Sequence, residues 1–303
     1  MCIRDRPVEE VIQAVTSQSF QVASDGGAAE GNASFGWSIA DHRGKTLVEC
    51  AGPGYGFNPS SYRAESYGVL APARFLLHMK MYFNTNPLKD FTHYCDNIRV
   101  VKSVTASMAY EGYYPNDTLK AEWDVLQQVK ECYTEMGCKQ TLLHVKGHQD
   151  KDKPYAELTR PAQLNVDCDH LAGDFLDSTM YANRVHVPML PCAKVQINLN
   201  QGTITNKIKT EARIARTKQP LVDKLLKDNS WEESTFELVD WKSHGRAIQR
   251  HNSHRTTITK MLYDILPVGK MVHKYSKSYL ESCSSCDAEL EDMAHLLQCP
   301  DEK

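Results

Sequence analysis

Four carboxylates are spaced along the first half of the chain where local structure could gather them. Asp25 ends a run with strand-like alternation and precedes Gly26-Gly27. Glu65 falls in the first turns of a helical stretch, residues 60–79, that Ser60-Ser61 can cap. Asp96 follows the short strand pattern of residues 91–95, and Asp169 lies on a helical pattern that begins near Pro161. Strand ends and a facing helix converge on one edge of a sheet, so acids distant in sequence can form a cluster. Without cations such a cluster is unfavourable, because neighbouring like charges raise each other's pKa. Its chemical use is to hold two divalent ions about 3.5–4 Å apart, one activating water and the other stabilising a leaving oxygen. Oxygen-only ligands suit Mg²⁺ or Mn²⁺ better than zinc. Taken singly, a strand-end Asp before Gly-Gly is a turn residue and a helix Glu faces solvent. The combination and its order carry the reading.

A second set of ligating residues closes the chain. Cys283, Cys286, His295 and Cys299 have the spacing Cys-x2-Cys-x8-His-x3-Cys. A thiolate pair on a tight turn, with a His and a Cys one helical turn apart, can close a tetrahedron around one structural Zn²⁺. The other six of the ten Cys are scattered without pairing. The acids within the module (Asp287, Glu289, Glu291, Asp292) argue against a phosphate-binding face there.

The elements that must position the first set alternate strand and helix. Residues 20–25, 33–40 and 45–51 read as three strands of an antiparallel meander, with Asp41-His42-Arg43-Gly44 as the turn between the last two. Asp96-Asn97 leads into a helix holding Val100, Val101 and Val104, and Asn116-Asp117-Thr118 can cap another helix running to about residue 136. Residues 140–146 are the last strand; a polar loop, 147–160, leads to the helix of LNVDCDHLAGDF. The expected fold is α/β, a five-stranded mixed sheet with flanking helices, followed by a small, mainly helical zinc-binding region.

Composition bounds the class. The 303 residues are 41% hydrophobic, and no apolar run approaches the roughly 18 residues of a membrane helix. The start has no apolar signal region, and ten Cys are too sparse for a disulfide scaffold. These features predict an intracellular chain, nuclear or cytoplasmic, with reduced thiols and no membrane partner. The net charge of −3 hides an asymmetry: residues 184–280 carry +9 and the remainder −12. A basic segment beside an acidic one suggests a polyanion partner. The Pro-bearing, charge-poor stretch 185–191 marks a boundary. The expected organisation is 1–17 as scar and linker, 18–182 as the α/β domain, 183–209 as linker, and 210–303 as a basic helical region ending in the Cys/His module. Residues 1–6, MCIRDR, resemble a translated sequencing adapter, so the chain is read as a fragment.

The motifs Ser24-Asp25-Gly26-Gly27, Tyr62-Arg63-Ala64-Glu65, Tyr94-Cys95-Asp96-Asn97, HVKGH ending at His148, and NVDCDHLA from Asn165 resemble the five landmarks of type 1 ribonuclease H. The phrases HVKGHQD and PAQLNVDCDHLAGDF are similar to the ribonuclease H domains of eukaryotic retroelement reverse transcriptases. CSSCDAELEDMAHLLQC resembles the CCHC module near the end of non-long-terminal-repeat retroelement polyproteins. The resemblance implies metal-dependent, endonucleolytic hydrolysis of the RNA strand of RNA/DNA hybrids, leaving a 5′-phosphate and a 3′-hydroxyl. It implies that Asp25 bridges two Mg²⁺, that Glu65 and Asp96 complete the leaving-group metal, and that Asp169 completes the water-activating one. His148 would assist proton transfer or product departure. Gly26, Gly27, Asn97 and Asn165 would serve substrate binding, and an upstream reverse transcriptase would be the partner in the intact polyprotein.

Two choices within this scheme have rivals. Asp167 competes with Asp169, but two residues on a helix are separated by about 200° of rotation. The family's Asn stands four residues before its acid, as Asn165 does before Asp169. His144 rivals His148 but falls within the strand pattern. One departure is the lack of a Trp- and Lys-rich basic protrusion, which leaves the 184–280 region or the upstream polymerase to grip substrate. The alternative function is a catalytically silent nucleic-acid-binding tail of a reverse transcriptase.

Overall fold

The computed structural model describes residues 6–56, 59–84, 88–110, 112, 117–178, 189–193, 196–199, 202–263 and 265–300. The chain divides into two compact units, residues 1–218 and 219–303.

The first unit is built on a five-stranded sheet. Its strands are β1 (Phe20–Ala29), β2 (Asn32–Ala40), β3 (Thr46–Pro53), β4 (Phe91–Cys95) and β5 (Gln140–His144), in the order β3-β2-β1-β4-β5. The β1–β2–β3 meander is antiparallel, while β1–β4 and β4–β5 are parallel. Glu30 (φ 50°) and Gly31 (φ 80°) make the tight β1–β2 turn, the left-handed pair that suits a two-residue hairpin. Asp41 Oδ1 accepts from the Arg43 and Lys45 N–H groups at 2.8 Å and fixes the β2–β3 turn. This is the five-stranded mixed sheet with flanking helices that the sequence predicts.

Alternation along the strands assigns the helices to faces. Phe20 and Val22 of β1, Trp37 and Ile39 of β2 and Phe91 of β4 are buried in the main core. That core also takes Leu70, Leu76 and Leu77 of α2 (Ser61–Tyr82), Val100 and Val104 of α3 (Ile98–Met108), and Val125, Val129 and Met136 of α4 (Trp123–Met136). The opposite face presents small residues to α5 (Arg160–Asp177): Ala23 and Ala40 pack with Leu164 and Cys168. A Cβ on Gly36 would lie 2.3 Å from the Cys168 carbonyl oxygen, so the backbone of α5 rests directly on β2. Ser34 Oγ donates to the Ala172 carbonyl at 2.6 Å and pins the helix there. Each fully buried aliphatic side chain of these cores contributes about 1.5–3 kcal/mol.

Three elements differ from the sequence expectation. Residues 8–17, placed in a linker, form α1 (Val8–Ser17), whose Val11 and Val15 join the main core. Its apolar residues recur at helical spacing, and Lys89 N–H donates to the Val15 carbonyl at 2.9 Å. The helix expected from residues 116–118 begins at Trp123, after a 3-10 turn at Asp117–Leu119. Glu122 stands between them at φ 55°, a left-handed conformation that interrupts the helix. Leu190 and Ala193, inside the expected 183–209 linker, are buried in the main core, and a short hairpin follows, β6 (Asn198–Leu199) with β7 (Gly202–Thr203). Residues 1–5 of the expected adapter scar and 185–188 of the expected boundary stretch 185–191 lie outside the described residues.

The helix α6 (Ile208–Asn229) runs across the division between the units. The second unit adds α7 (Glu233–Leu238), α8 (Trp241–Arg250), α9 (Arg255–Leu262), α10 (Gly269–Tyr275) and α11 (Met293–Gln298). Among its described residues only Val222, Val268 and Cys283 are buried hydrophobics. So small a core does not hold five or six helices together, and such units rely on a covalent or metal staple. No described helix is long and apolar enough to cross a membrane.

Candidate active site

Asp25 is not at the end of β1, which continues to Ala29 in its pairing with β2. Its parallel pairing with β4, however, stops at Ser24 opposite Cys95. Asp25 therefore stands where the β4 ladder ends, and Asp96 lies one residue beyond the same point on β4. Parallel pairing that stops at this register places these two acids side by side.

Glu65 reaches the same edge from α2. Ser60 caps that helix by accepting from Arg63 N–H at 3.2 Å. A Cβ on Gly26 would meet Ala64 C and Glu65 N at 2.3 Å, so only glycine lets β1 run against the first turn of α2. Gly27 carries no such constraint: its Cβ would find ordinary contacts at 3.6 Å and beyond. Asn97 Oδ1 caps α3, accepting from Arg99 N–H at 3.1 Å and Val100 N–H at 3.3 Å, which fixes the chain just after Asp96.

Asp169 approaches from α5 and meets His148 across 3.1 Å, Oδ2 to Nδ1. His148 follows β5 in a left-handed conformation (φ 50°) and is exposed. The preceding Gly147 has a specific reason: a Cβ there would lie 2.2 Å from Asp96 Oδ2. The rival Asp167 turns away and accepts from the Tyr155 hydroxyl at 2.9 Å on both oxygens. His144 is the exposed last residue of β5.

Electrostatics at this edge are adverse. Asp25 is buried, and desolvation together with the charges of Asp96 and Asp169 pushes its carboxyl from 3.8 up to about 8. Its stabilising contact is the Gly26 N–H at 2.8 Å. Burial, then the charges of Asp25 and Asp96, hold Glu65 well above the usual carboxylate range. Asp96 Oδ1 is buried with no hydrogen-bond partner. A cluster of oxygen donors, one of them orphaned and two driven towards their neutral forms, is what a divalent cation relieves. Ligand atoms of Glu65, Cys95 and Asp96 lie within 4.8 Å of one another, and the oxygen donors among these residues, with Asp25 and Asp169 nearby, would suit Mg²⁺ or Mn²⁺.

Asn165, one turn before Asp169 on α5, is 1% exposed, and its Nδ2 is buried without a hydrogen-bond partner. Sequence reasoning missed Cys95, whose buried thiol lies 3.8 Å from Glu65 Oε2 and is pushed up by burial. It also missed a polar chain beneath the site: Ser24 Oγ to His93 Nε2 at 2.9 Å, and His93 Nδ1 to the Tyr133 hydroxyl at 2.9 Å. Burial lowers the His93 pKa to about 3, so its ring is neutral. The alternation of residues 91–95 placed His93 and Cys95 on one face and was the available signal.

A groove beside the acids was missed as well. It is lined by Arg99 and Lys102 of α3, Lys120, and Lys130 of α4, with Tyr62 and Trp123. The Arg99 guanidinium sits 4.8 Å over the Tyr62 ring. Tyr62 is three residues before Glu65 and Arg99 three after Asp96, so the groove adjoins the acid cluster. The i, i+3 spacing of Arg99 and Lys102 was the signal.

In the second unit, Cys283, Cys286, His295 and Cys299 present ligand atoms all within 4.8 Å of one another. Cys283 Sγ and Cys299 Sγ are 3.9 Å apart, and Cys286 Sγ and His295 Nε2 are 3.2 Å apart. A tetrahedron with arms of about 2.3 Å has edges of about 3.7 Å, so the four atoms fit zinc. Hydrogen bonds from the Ser285 and Cys286 backbone N–H groups lower the Cys283 thiol to about 6, favouring the thiolate. Asp292 caps α11 through His295 N–H at 2.9 Å and aims the histidine.

No protein-family model and no curated protein matches the chain. Solved structures are similar over about half of it. The RNase H1 of the archaeon Halobacterium salinarum shares 18% identity over 53% of this chain and 98% of that one, with a TM-score of 0.35. LC11-RNase H1 in complex with an RNA/DNA hybrid shares 18% over 51% and 94%, with a TM-score of 0.37. The RNase H domain of PFV shares 19% over 51% and 92%, with a TM-score of 0.39.

Proposed function

We propose that the first unit hydrolyses the RNA strand of RNA/DNA hybrids and that the chain is the ribonuclease H portion of a retroelement reverse transcriptase polyprotein. The observation that carries this reading is the meeting of Asp25, Glu65, Asp96 and Asp169 at one sheet edge beside the His148 loop. Two Mg²⁺ or Mn²⁺ ions, when bound, supply an activated water and stabilise the departing oxygen. Asp25 stands at the centre of the acids and would serve both ions, with Glu65 and Asp96 on one side and Asp169 on the other.

His148 manages a proton. Its Nδ1 faces an acceptor, the Asp169 carboxylate, so in the neutral ring Nδ1 carries the hydrogen and Nε2 holds the lone pair. Nε2 is the atom that would take a proton from the attacking water or return one to the product oxygen. The exposed position of the loop lets the ring swing towards bulk water afterwards.

The basic groove addresses the missing protrusion. Acids at the reaction centre repel a polyanion, so affinity must come from cations nearby. Arg99, Lys102, Lys120 and Lys130 would bind phosphates of the hybrid beside the acids, giving sequence-independent and salt-sensitive grip. The second unit, held by one zinc, would add its basic helices as a further nucleic-acid surface.

The test is incubation of the full chain with labelled RNA annealed to DNA in Mg²⁺, with single-stranded and duplex RNA as controls. Cutting of hybrid RNA alone, leaving 5′-phosphate ends, is the expected result. A folded, zinc-loaded chain that binds hybrid without cutting it is instead the silent tail.

A further inference from the structure

Glu122 is a buried carboxylate that three parts of the chain converge to satisfy. It has no exposed surface and holds a left-handed backbone, φ 55°, which is unfavourable for a residue other than glycine. Its Oε2 accepts from Arg63 Nη1 at 2.8 Å, and its Oε1 accepts from Ser60 Oγ at 3.1 Å and from Asn206 Nδ2 at 3.0 Å. Its own N–H donates to the Thr205 carbonyl at 2.8 Å.

These partners join distant functions. Ser60 is the cap of α2, and Arg63 is two residues before Glu65. Thr205 and Asn206 belong to the segment after α5, where the Cys192 N–H donates to Gln128 Oε1 at 3.1 Å and Leu190 is buried in the core. Burial opposes the Arg63 charge, and the hydrogen bonds and charges of Asp124 and Glu122 outweigh it. Buried charges of this kind tolerate no missing partner.

We propose that residues 189–193, 196–199 and 202–206 belong to a strap of the nuclease unit, and that Asn206 positions the metal-binding Glu65 through Glu122, Ser60 and Arg63. The inference rests on the nuclease reading of the acid site. Asn206 touches neither substrate nor metal; it is a positioning residue. Its amide shares Oε1 of Glu122 with the Ser60 hydroxyl. Losing that amide leaves Oε1 to the Ser60 hydroxyl alone and loosens the Glu122 carboxylate that Ser60 and Arg63 bind at the first turn of α2.

The test uses the full chain as wild type, Asn206→Ala and Asn206→Gln. Amide hydrogen exchange is followed in peptides covering residues 60–66 and 196–207, and cleavage of hybrid is titrated with Mg²⁺. For Asn206→Ala we expect exchange over 60–66 to quicken several-fold and the half-maximal Mg²⁺ concentration to rise about fivefold, with KM for hybrid unchanged. Asn206→Gln, which keeps an amide donor, should recover most of both. Faster exchange confined to 196–207, or an unchanged Mg²⁺ requirement, overturns the strap. If the wild type does not cut, the nuclease reading falls, and the exchange at 60–66 alone decides whether the strap orders α2.

Discussion

His148 and Asp169 stand 21 residues apart in sequence and 3.1 Å apart in space, Nδ1 to Oδ2, at the mouth of the acid cluster. The contact orients a ring whose other nitrogen is then the proton acceptor. We expect His148→Ala to lower kcat by about 10²-fold, the usual contribution of a positioned acid or base, with KM for hybrid little changed. Steady-state kinetics on a labelled hybrid checks this; an unchanged kcat would remove the histidine from the reaction.

The crowded acids also leave a signature in stability. Asp25 titrates near 8 in the folded chain against 3.8 for an ordinary aspartate, so the folded state holds the extra proton between those values. Stability from this group is full below about pH 4 and is lost as pH rises through 8. In Mg²⁺-free buffer we expect the melting temperature of the first unit to fall from pH 5 to pH 8. Asp25→Asn should flatten that slope and raise stability at pH 8 by on the order of 2 kcal/mol. Added Mg²⁺ should restore the wild type at pH 8. Calorimetry reads all three.

Substrate grip should follow the groove. Arg99→Ala and Lys102→Ala are each expected to raise KM for hybrid about three- to tenfold and to reduce the slope of log affinity against log salt by about one. Binding measured across a salt series distinguishes this from a loss of folding, which would abolish binding at every salt concentration.

The second unit should depend on its metal. We expect one zinc per chain, lost in Cys286→Ser, with residues 219–303 becoming protease-sensitive while the first unit keeps its melting transition. Elemental analysis and limited proteolysis check this. A metal-free second unit with full helicity would contradict the staple.

Local chemistry explains what the sequence disclosed. Strand alternation, the Ser60 and Asn97 caps and the Asp41 turn are short-range signals, so the five strands and the helices α2, α3 and α5 were legible. The nearness of Asp25 and Asp96 was legible because each follows a strand-like run, although β1 continues past Asp25 and it is the pairing with β4 that stops there. What stayed hidden depends on distant partners. Nothing local to Glu122 signals a left-handed residue whose carboxylate binds Arg63 and Asn206. Val11 and Val15 fell in the expected 1–17 scar and linker, and only the core that receives them shows their part in the fold.

The most direct test of the central claim is cleavage of labelled RNA in an RNA/DNA hybrid with Mg²⁺, comparing wild type, Asp96→Asn and Asp167→Asn. Asp96 carries the orphaned oxygen at the metal edge, whereas Asp167 is tied to Tyr155 on the far side of α5. The account predicts cutting by the wild type and Asp167→Asn, and loss of at least about 10³-fold in Asp96→Asn, on the scale of removing one electrostatic anchor of a transition state. Equal cutting by all three, or none by a folded wild type, would contradict it.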